Sequence, residues 1–206
     1  MLKIYGRANS GNVQKVTFAC DEMGVAFDRV DVGAQHGGND TPEYLAMNPN
    51  GRVPTVDEDG FILWESNSIV RYLTAKHDLG GLYPADLRVR ADAERWMDWQ
   101  LSTLGPAFTP MFFGLVRMSE AERNHDAIET SRAETAKLFS FMDRQLDGRN
   151  YLAADTLTMG DIPFLGFIYR WFEMDIERPS LPNLDAWYQR LCERETFRKH
   201  IMIGLS

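Results

Sequence analysis

The sequence predicts an α/β domain over residues 1–80, a short linker, and an all-helical domain over residues 87–206. Two observations predict it. Strand-like and helix-like apolar patterns alternate up to about residue 80, and strand patterns vanish after Asp86. A third sets the scale. The chain has 206 residues, 44% of them apolar and 25% charged, which is enough for a real core in one large or two small domains.

The first apolar run, "LKIY", reads as a strand, and "GRANSG" as the turn and helix start after it. Over 12–23 the apolar positions Val13, Val16, Cys20 and Met23 fall at helical spacing, and Gly24 is a good stop. "AFDRVDV" alternates apolar and charged residues and reads as a second strand. Strand, helix, strand implies a parallel pair joined by a crossover helix. Thr41 and Pro42 suit the N-cap and first position of a short helix. "VPTV" and "FILW", separated by the acidic turn "DEDG", read as a hairpin. Ser66 to His77 carries Ile69, Val70 and Leu73 on one helical side. The spacing then predicts one long helix over 87–116, bent near Gly105 and Pro106. Further helices are expected over 126–146, 159–172 and 184–192, with a short terminal one. No internal repeat is present.

The net charge of -8 argues against a global attraction to nucleic acid or anionic lipid. No apolar run reaches the length that spans a bilayer, and "MLKIYGRANS" lacks the regions of a signal peptide. Cys20 and Cys192 lie far apart and form neither a disulfide framework nor a metal cluster, so a cytoplasmic location is expected. His36, His77, His125 and His200 are scattered and are expected at the surface, so no metal site is expected.

Three segments suggest chemistry. In "NPNGRVPTV", residues 48–56, Pro54 cannot donate to a ladder. That is either a bulge on an edge strand or, if the bond is cis, a device that turns the Val53 N–H and C=O toward an extended ligand. In "WESNSIV", residues 64–70, Glu65 ends a strand and Ser66 opens a helix. A helix start favours anions, so Ser66 suits a carboxylate and Glu65 an adjacent ammonium; a plain N-cap is the alternative. In "ANSGNVQKV", Ser10, Gly11 and Asn12 sit at the strand-to-helix turn. A hydroxyl or amide there can donate to a thiolate and lower its pKa; capping is again the alternative. No G-x-S-x-G elbow marks Ser10 as an acyl-transfer nucleophile. "FTPMFFGLVRM", residues 108–118, is rich in Phe and Met and reads as core, or as a kinked helix presenting Phe112, Phe113 or Arg117 to a cleft. Trp99, Trp171 and Phe172 read as core.

Together "NPNGRVPTV", "WESNSIVRYL", "LYP" and, in the second half, "LTMGDI" at 157–162 make the chain resemble a cytosolic glutathione S-transferase, of the bacterial theta-like or nu-like kind, along essentially its whole length. The resemblance implies a thioredoxin-like fold for the first domain and an electrophile-binding role for the helical one. It implies that Val53 bonds the cysteinyl backbone of glutathione, with Pro54 cis. Glu65 and Ser66 would hold the γ-glutamyl end, and Asn50 or Arg52 would approach the glycyl carboxylate. Ser10 matches the catalytic serine of theta-like and delta-like classes, and Asn12 the asparagine of some bacterial and fungal relatives. Tyr5 reads as core or pocket wall. Cys20 is off the family's cysteine position, which disfavours redox chemistry of the omega or beta type. Thr158 and Asp161 would form a helix-capping box.

The implied activity is activation of the glutathione thiolate for attack on a small hydrophobic electrophile, with glutathione as cosubstrate and no other cofactor. A glutathione-dependent isomerase, dehalogenase or ether-cleaving enzyme remains an alternative on the same scaffold, as does a non-catalytic stress or interaction protein. The resemblance also implies a homodimer, with Arg71, Arg95 and Asp98 as candidate interface charges.

Overall fold

The computed structural model describes residues 1–205; Ser206, the last residue of the expected helical domain, lies outside them. The first domain is a four-stranded sheet in the order β2-β1-β3-β4. Strands β1 (Leu2–Tyr5) and β2 (Phe27–Val30) are parallel and are joined by helix α1 (Gly11–Glu22). Strand β3 (Thr55–Glu58) runs antiparallel to β1 and forms the expected hairpin with β4 (Phe61–Trp64) around Asp59 and Gly60. Both turn residues have positive φ, 52° and 93°, the conformation an acidic-glycine turn supplies. Thr41 caps α2 (Pro42–Met47) by accepting the Tyr44 N–H at 3.3 Å. Helix α3 (Ser66–His77) follows β4 directly.

The long helical run is interrupted rather than simply bent. Helix α4 (Leu87–Trp99) passes through a π turn, Gln100–Leu104, into α5 (Gly105–Phe112), and a second π turn, Phe113–Arg117, ends the run. The cause is local. Pro106 has no N–H to give to an i−4 carbonyl, and the Gly105 N–H reaches back to the Gln100 carbonyl instead. After α6 (His125–Gln145) the expected helix over 159–172 starts late. Thr158 to Asp161 form a turn, then a short 3₁₀ segment, Ile162–Phe164, leads into α7 (Leu165–Glu173). Helices α8 (Pro182–Cys192) and α9 (Glu195–His200) complete the domain.

That turn corrects the capping-box reading. The Asp161 carboxylate accepts the Thr158 N–H at 3.1 Å, as a box requires, but the Thr158 hydroxyl accepts the Gly160 N–H rather than closing the reciprocal bond. Asp161 reaches further. It also accepts the Thr158 hydroxyl at 3.1 Å, the Leu152 N–H at 3.0 Å and the Trp187 indole N–H at 3.2 Å. It is fully buried, so it ties the turn, the loop before it and α8 together in the dry interior.

Helix α1 is the common wall of the two domains. Val13 through Cys20 are all buried, polar Gln14, Lys15 and Thr17 included. One face packs on the sheet and α3, the other on α7 and α9. The helical core centres on Phe139, Phe164, Trp171, Trp187 and Phe197. Trp99 is only half-buried but packs its ring against Trp96, Phe141 and Phe164; Phe172 stacks on Tyr188 at 4.4 Å.

Candidate active site

A cleft of about 390 Å³ opens where the β1–α1 turn, the segment before β3 and the helical run α5 with its π turn converge. The first two belong to the α/β domain and the third to the helical one. It is a larger feature than any single motif, and it gathers residues spread from Arg7 to Arg170.

Ser10 is the N-cap of α1 by position. Its carbonyl accepts the Gln14 N–H at 2.9 Å, yet its hydroxyl takes no capping bond. The capping explanation for this serine is therefore corrected: Ser10 lines the cleft, and its hydroxyl bonds no described residue. Gly11 and Asn12 follow it there, at the positive end of a twelve-residue helix. Asn12 Oδ1 accepts the Ser66 hydroxyl at 3.3 Å, so the amide N–H₂ is what Asn12 has left to donate. Ser66 is buried at the start of α3 and stands behind Asn12 rather than on the cleft wall. Glu65 is exposed beside it, with φ 71° and ψ 107°. That is a costly backbone for a non-glycine residue, of the kind retained where a site demands it.

The Val53–Pro54 bond is cis. Strand β3 begins only at Thr55, and neither the N–H nor the C=O of Val53 bonds another described residue. Val53 and Arg52 line the cleft, with Asn39 and Gly51 beside them; Pro54 lies buried behind. Asn50 is turned away. Both its backbone and side-chain nitrogens donate to Asn48 Oδ1 at 3.1 Å. Asn48 in turn donates to the Arg52 carbonyl at 2.8 Å, and Tyr44 donates to the same carbonyl at 2.7 Å, which fixes the loop that carries Val53. Tyr5 lies off the cleft, its ring edge-on to Tyr44.

The opposite wall is aromatic and basic. Phe112, Phe113 and Arg117 line it as the sequence reading anticipated, and Phe108, Phe167 and Arg170 join them unanticipated; Arg7, also unanticipated, faces the cleft from the segment after β1. Burial, and then the neighbouring Arg117 and Arg7, push the Arg170 guanidinium down to about 10, against a small opposing effect of Tyr169. Lys15 was also missed. It is buried one turn into α1, and its ammonium donates to Gln100 Oε1 at 3.0 Å and Asn67 Oδ1 at 3.2 Å. Burial pushes its pKa down to about 7, with Glu65 opposing and Arg170 assisting. Neither Arg170 nor Lys15 carries a local sequence signal. Each is one charge in an apolar helical pattern.

The cysteines stand apart from this cleft. Burial, with Asp21 and Glu58 adding to it, raises the Cys20 thiol to about 12, which suits an inert core thiol. The four histidines each lie near a different carboxylate, and the expectation that all sit at the surface is corrected at one. His200 is largely buried and bonds Asp21 at 2.6 Å, where α9 closes on the end of α1. Among the described residues no group of three or more His, Cys, Asp or Glu could hold a metal ion, and no helix is long and apolar enough to cross a membrane. Of the candidate interface charges, Arg71 pairs with Asp98 and Arg95 with Asp92 within the chain.

A hydroxyl and an amide at a helix start, an open main-chain pair at Val53 and an aromatic wall opposite can hold an extended peptide-like ligand and stabilise an anion between the two. Comparison with known proteins shows the family. Residues 9–76 match the family described as glutathione S-transferase, N-terminal domain, and residues 97–195 match glutathione S-transferase, C-terminal domain. The chain is 40% identical to glutathione S-transferase GstB of Escherichia coli over 208 aligned positions covering all of both chains. It superposes with a TM-score of 0.96, at 46% identity, on the theta class glutathione S-transferase of Xanthomonas axonopodis pv. citri with glutathione bound, covering 100% of this chain and 99% of that one. The apo form of that enzyme gives 0.87 at 41% identity, covering 100% and 98%. Two family domains that together span most of the chain, and a full-length relative at this identity, lead to one conclusion: the chain belongs to the glutathione S-transferase family.

Proposed function

We propose that this transferase binds glutathione extended along Val53, ionises its thiol at Ser10, and directs the thiolate at a small hydrophobic electrophile held against the helical wall. The observation that carries the reading is the Ser10 hydroxyl. It stands at the N-terminus of α1, makes no cap, and lines the cleft. A hydroxyl there donates to the thiolate more strongly than to the thiol, and the helix end adds to the preference. Val53 offers its free N–H and C=O to the cysteinyl backbone. Arg52 meets the glycyl carboxylate, whereas Asn50 is spent on Asn48. Glu65 and the N-terminus of α3 take the γ-glutamyl end, and Ser66 also orients Asn12 through their hydrogen bond. Glutathione is a cosubstrate, and the reaction needs no metal.

The test is titration of the bound thiol. Ser10→Ala should raise its pKa by one unit or more, about 1.4 kcal/mol per unit. The rate near neutrality should fall while glutathione affinity changes little. Asn12→Ala should do less. A larger rise in the Asn12 variant would transfer the donor role to the asparagine amide, the group that Asn12 keeps free once Ser66 has taken its oxygen.

The assembly we infer is a cytoplasmic homodimer through α3 and α4, with the Arg71–Asp98 pair near the two-fold. Asp98 is exposed on one side of that pair, as a shared interface charge must be in the lone chain. Sedimentation at micromolar concentration should give about twice 23.6 kDa; a monomer would sink this part of the reading.

A further inference from the structure

Two arginines of the cleft, Arg170 on its helical side and Arg7 on its α/β side, form no ion pair with a described residue. Arg170 projects from α7 and Arg7 from the segment after β1, and the charged neighbour acting on both is another arginine, Arg117. Among the described residues no carboxylate acts on either. Elsewhere Arg29, Arg71, Arg132 and Arg194 each pair with an acid. Arginine keeps its proton at any physiological pH, so the cluster stays cationic.

Arg170 is also held in place. Its guanidinium lies 4.6 Å from the Phe112 ring centroid. A Cβ on Gly11 would come within 2.8 Å of Nη1, and one on Gly166 within 3.2 Å. The side chain therefore rests directly on the turn that carries Ser10 and Asn12, and glycine is what lets it approach. A planar guanidinium fixed against an aromatic ring matches a carboxylate better than a diffuse charge does. Its position is on the helical side of that turn. The groups assigned to glutathione, Val53, Arg52 and Ser66, belong to the α/β side.

We propose that the acceptor is itself an anion: a small electrophile with a carboxylate, held by Arg170 with help from Arg7, while Phe108, Phe112 and Phe167 cover its carbon skeleton. This deepens the transferase reading and rests on it. A suitable probe is para-chloro-meta-nitrobenzoate. The glutathione thiolate attacks the carbon that bears chlorine, a C–S bond forms, the C–Cl bond breaks, and chloride leaves with the electron pair. The thiol proton has already gone to solvent.

The experiment compares this acid with its neutral methyl ester, each rate divided by the uncatalysed rate with glutathione. The wild-type protein should favour the acid in kcat/KM by about tenfold or more, the worth of one charge-assisted contact. Arg170→Met should cost the acid about tenfold more than it costs the ester, and Arg7→Gln a smaller excess. Preference for the ester, equal losses for both compounds, or a matching loss of glutathione affinity by calorimetry would each overturn the proposal. The wild-type ratio decides the matter even if Arg170→Met fails to fold. Turnover of the ester alone would refute the anionic acceptor and leave the transferase reading standing. If neither compound is turned over, calorimetry on the glutathione-saturated protein decides: tighter binding of the acid supports the proposal, and no binding of the acid refutes it. Failure to bind glutathione would instead refute the transferase reading itself.

Discussion

Replacing Asp161 by alanine should destabilise the protein through its helical domain, and by an amount that depends on pH. The carboxylate is fully buried and serves four donors: the N–H groups of Leu152 and Thr158, the Thr158 hydroxyl and the Trp187 indole. The hydroxyl can turn elsewhere; the three N–H groups cannot. Leaving a buried donor unmet costs about 1–3 kcal/mol, so the loss from three should be about 3–9 kcal/mol. A second effect opposes it. Burial raises the Asp161 pKa from 3.8 to about 6, and the four hydrogen bonds only partly offset that. A carboxyl with a folded-state pKa above its unfolded one contributes stability that is present at low pH and lost as pH rises through about 6. The wild-type protein loses this contribution on going from about pH 5 to about pH 7.5, roughly 1.4 kcal/mol, and the variant has none to lose. The penalty of the substitution should therefore be larger at the lower pH by that amount. Urea unfolding of both proteins, at matched protomer concentration and both pH values, measures it. A penalty under about 1 kcal/mol at both would refute the bonding argument. An equal penalty at both would refute the burial argument.

Two further predictions concern stability. Lys15→Met should remove a pH dependence of opposite sign: with a folded-state pKa of about 7, the lysine's contribution is lost as pH falls through that value, so the wild-type protein should gain roughly 2 kcal/mol from about pH 7 to about pH 9 that the variant lacks. Parallel urea curves for the two proteins across that range would contradict it. Gly160→Ala should destabilise by about 1–3 kcal/mol, because overpacking against backbone has no soft outlet. Its new Cβ would fall 2.8 Å from Ala93 Cα and 3.0 Å from the Ala93 carbonyl oxygen. An unchanged melting temperature would show that α4 yields there.

Much of this was legible in the sequence because the signals were local. The hairpin around Asp59 and Gly60, the Thr41 cap and the limits of α3 follow from neighbouring residues, and the structure has them where those residues predict. The converging turn at Ser10 and the loop at Val53 were legible as a joint pattern of motifs. What escaped was non-local or ambiguous by composition. Arg170 meets Gly11 across most of the chain's length, and no periodicity in "FLGFIYRWFE" announces that one charge turns inward. Phe108 reads as core, and nothing singles out Phe167, because a cleft wall and a core wall demand the same residue types. Pro106 gave away a disturbance in the long helix, but a missing N–H does not say whether the chain kinks or widens into a π turn. His200 is buried because α9 closes on α1, a contact set by the last helix docking on the first.

Helix α1 is gripped along its whole length by residues from the far side of the linker. Arg170 presses on its first turn at Gly11, Gln100 accepts from Lys15 in its second, and at its end Arg194 and Thr196 bond Glu22 while Lys199 and His200 bond Asp21. The two domains are thus joined into one thermodynamic unit. Heat or denaturant should melt them in a single cooperative transition, since neither can open without stripping the helix they share. Residues 1–80 cut away from the rest would keep every strand of their sheet and still lose the packing partner of the helix behind it. The boundary so plain in the pattern of strands and helices divides the chain's architecture, and its stability is undivided.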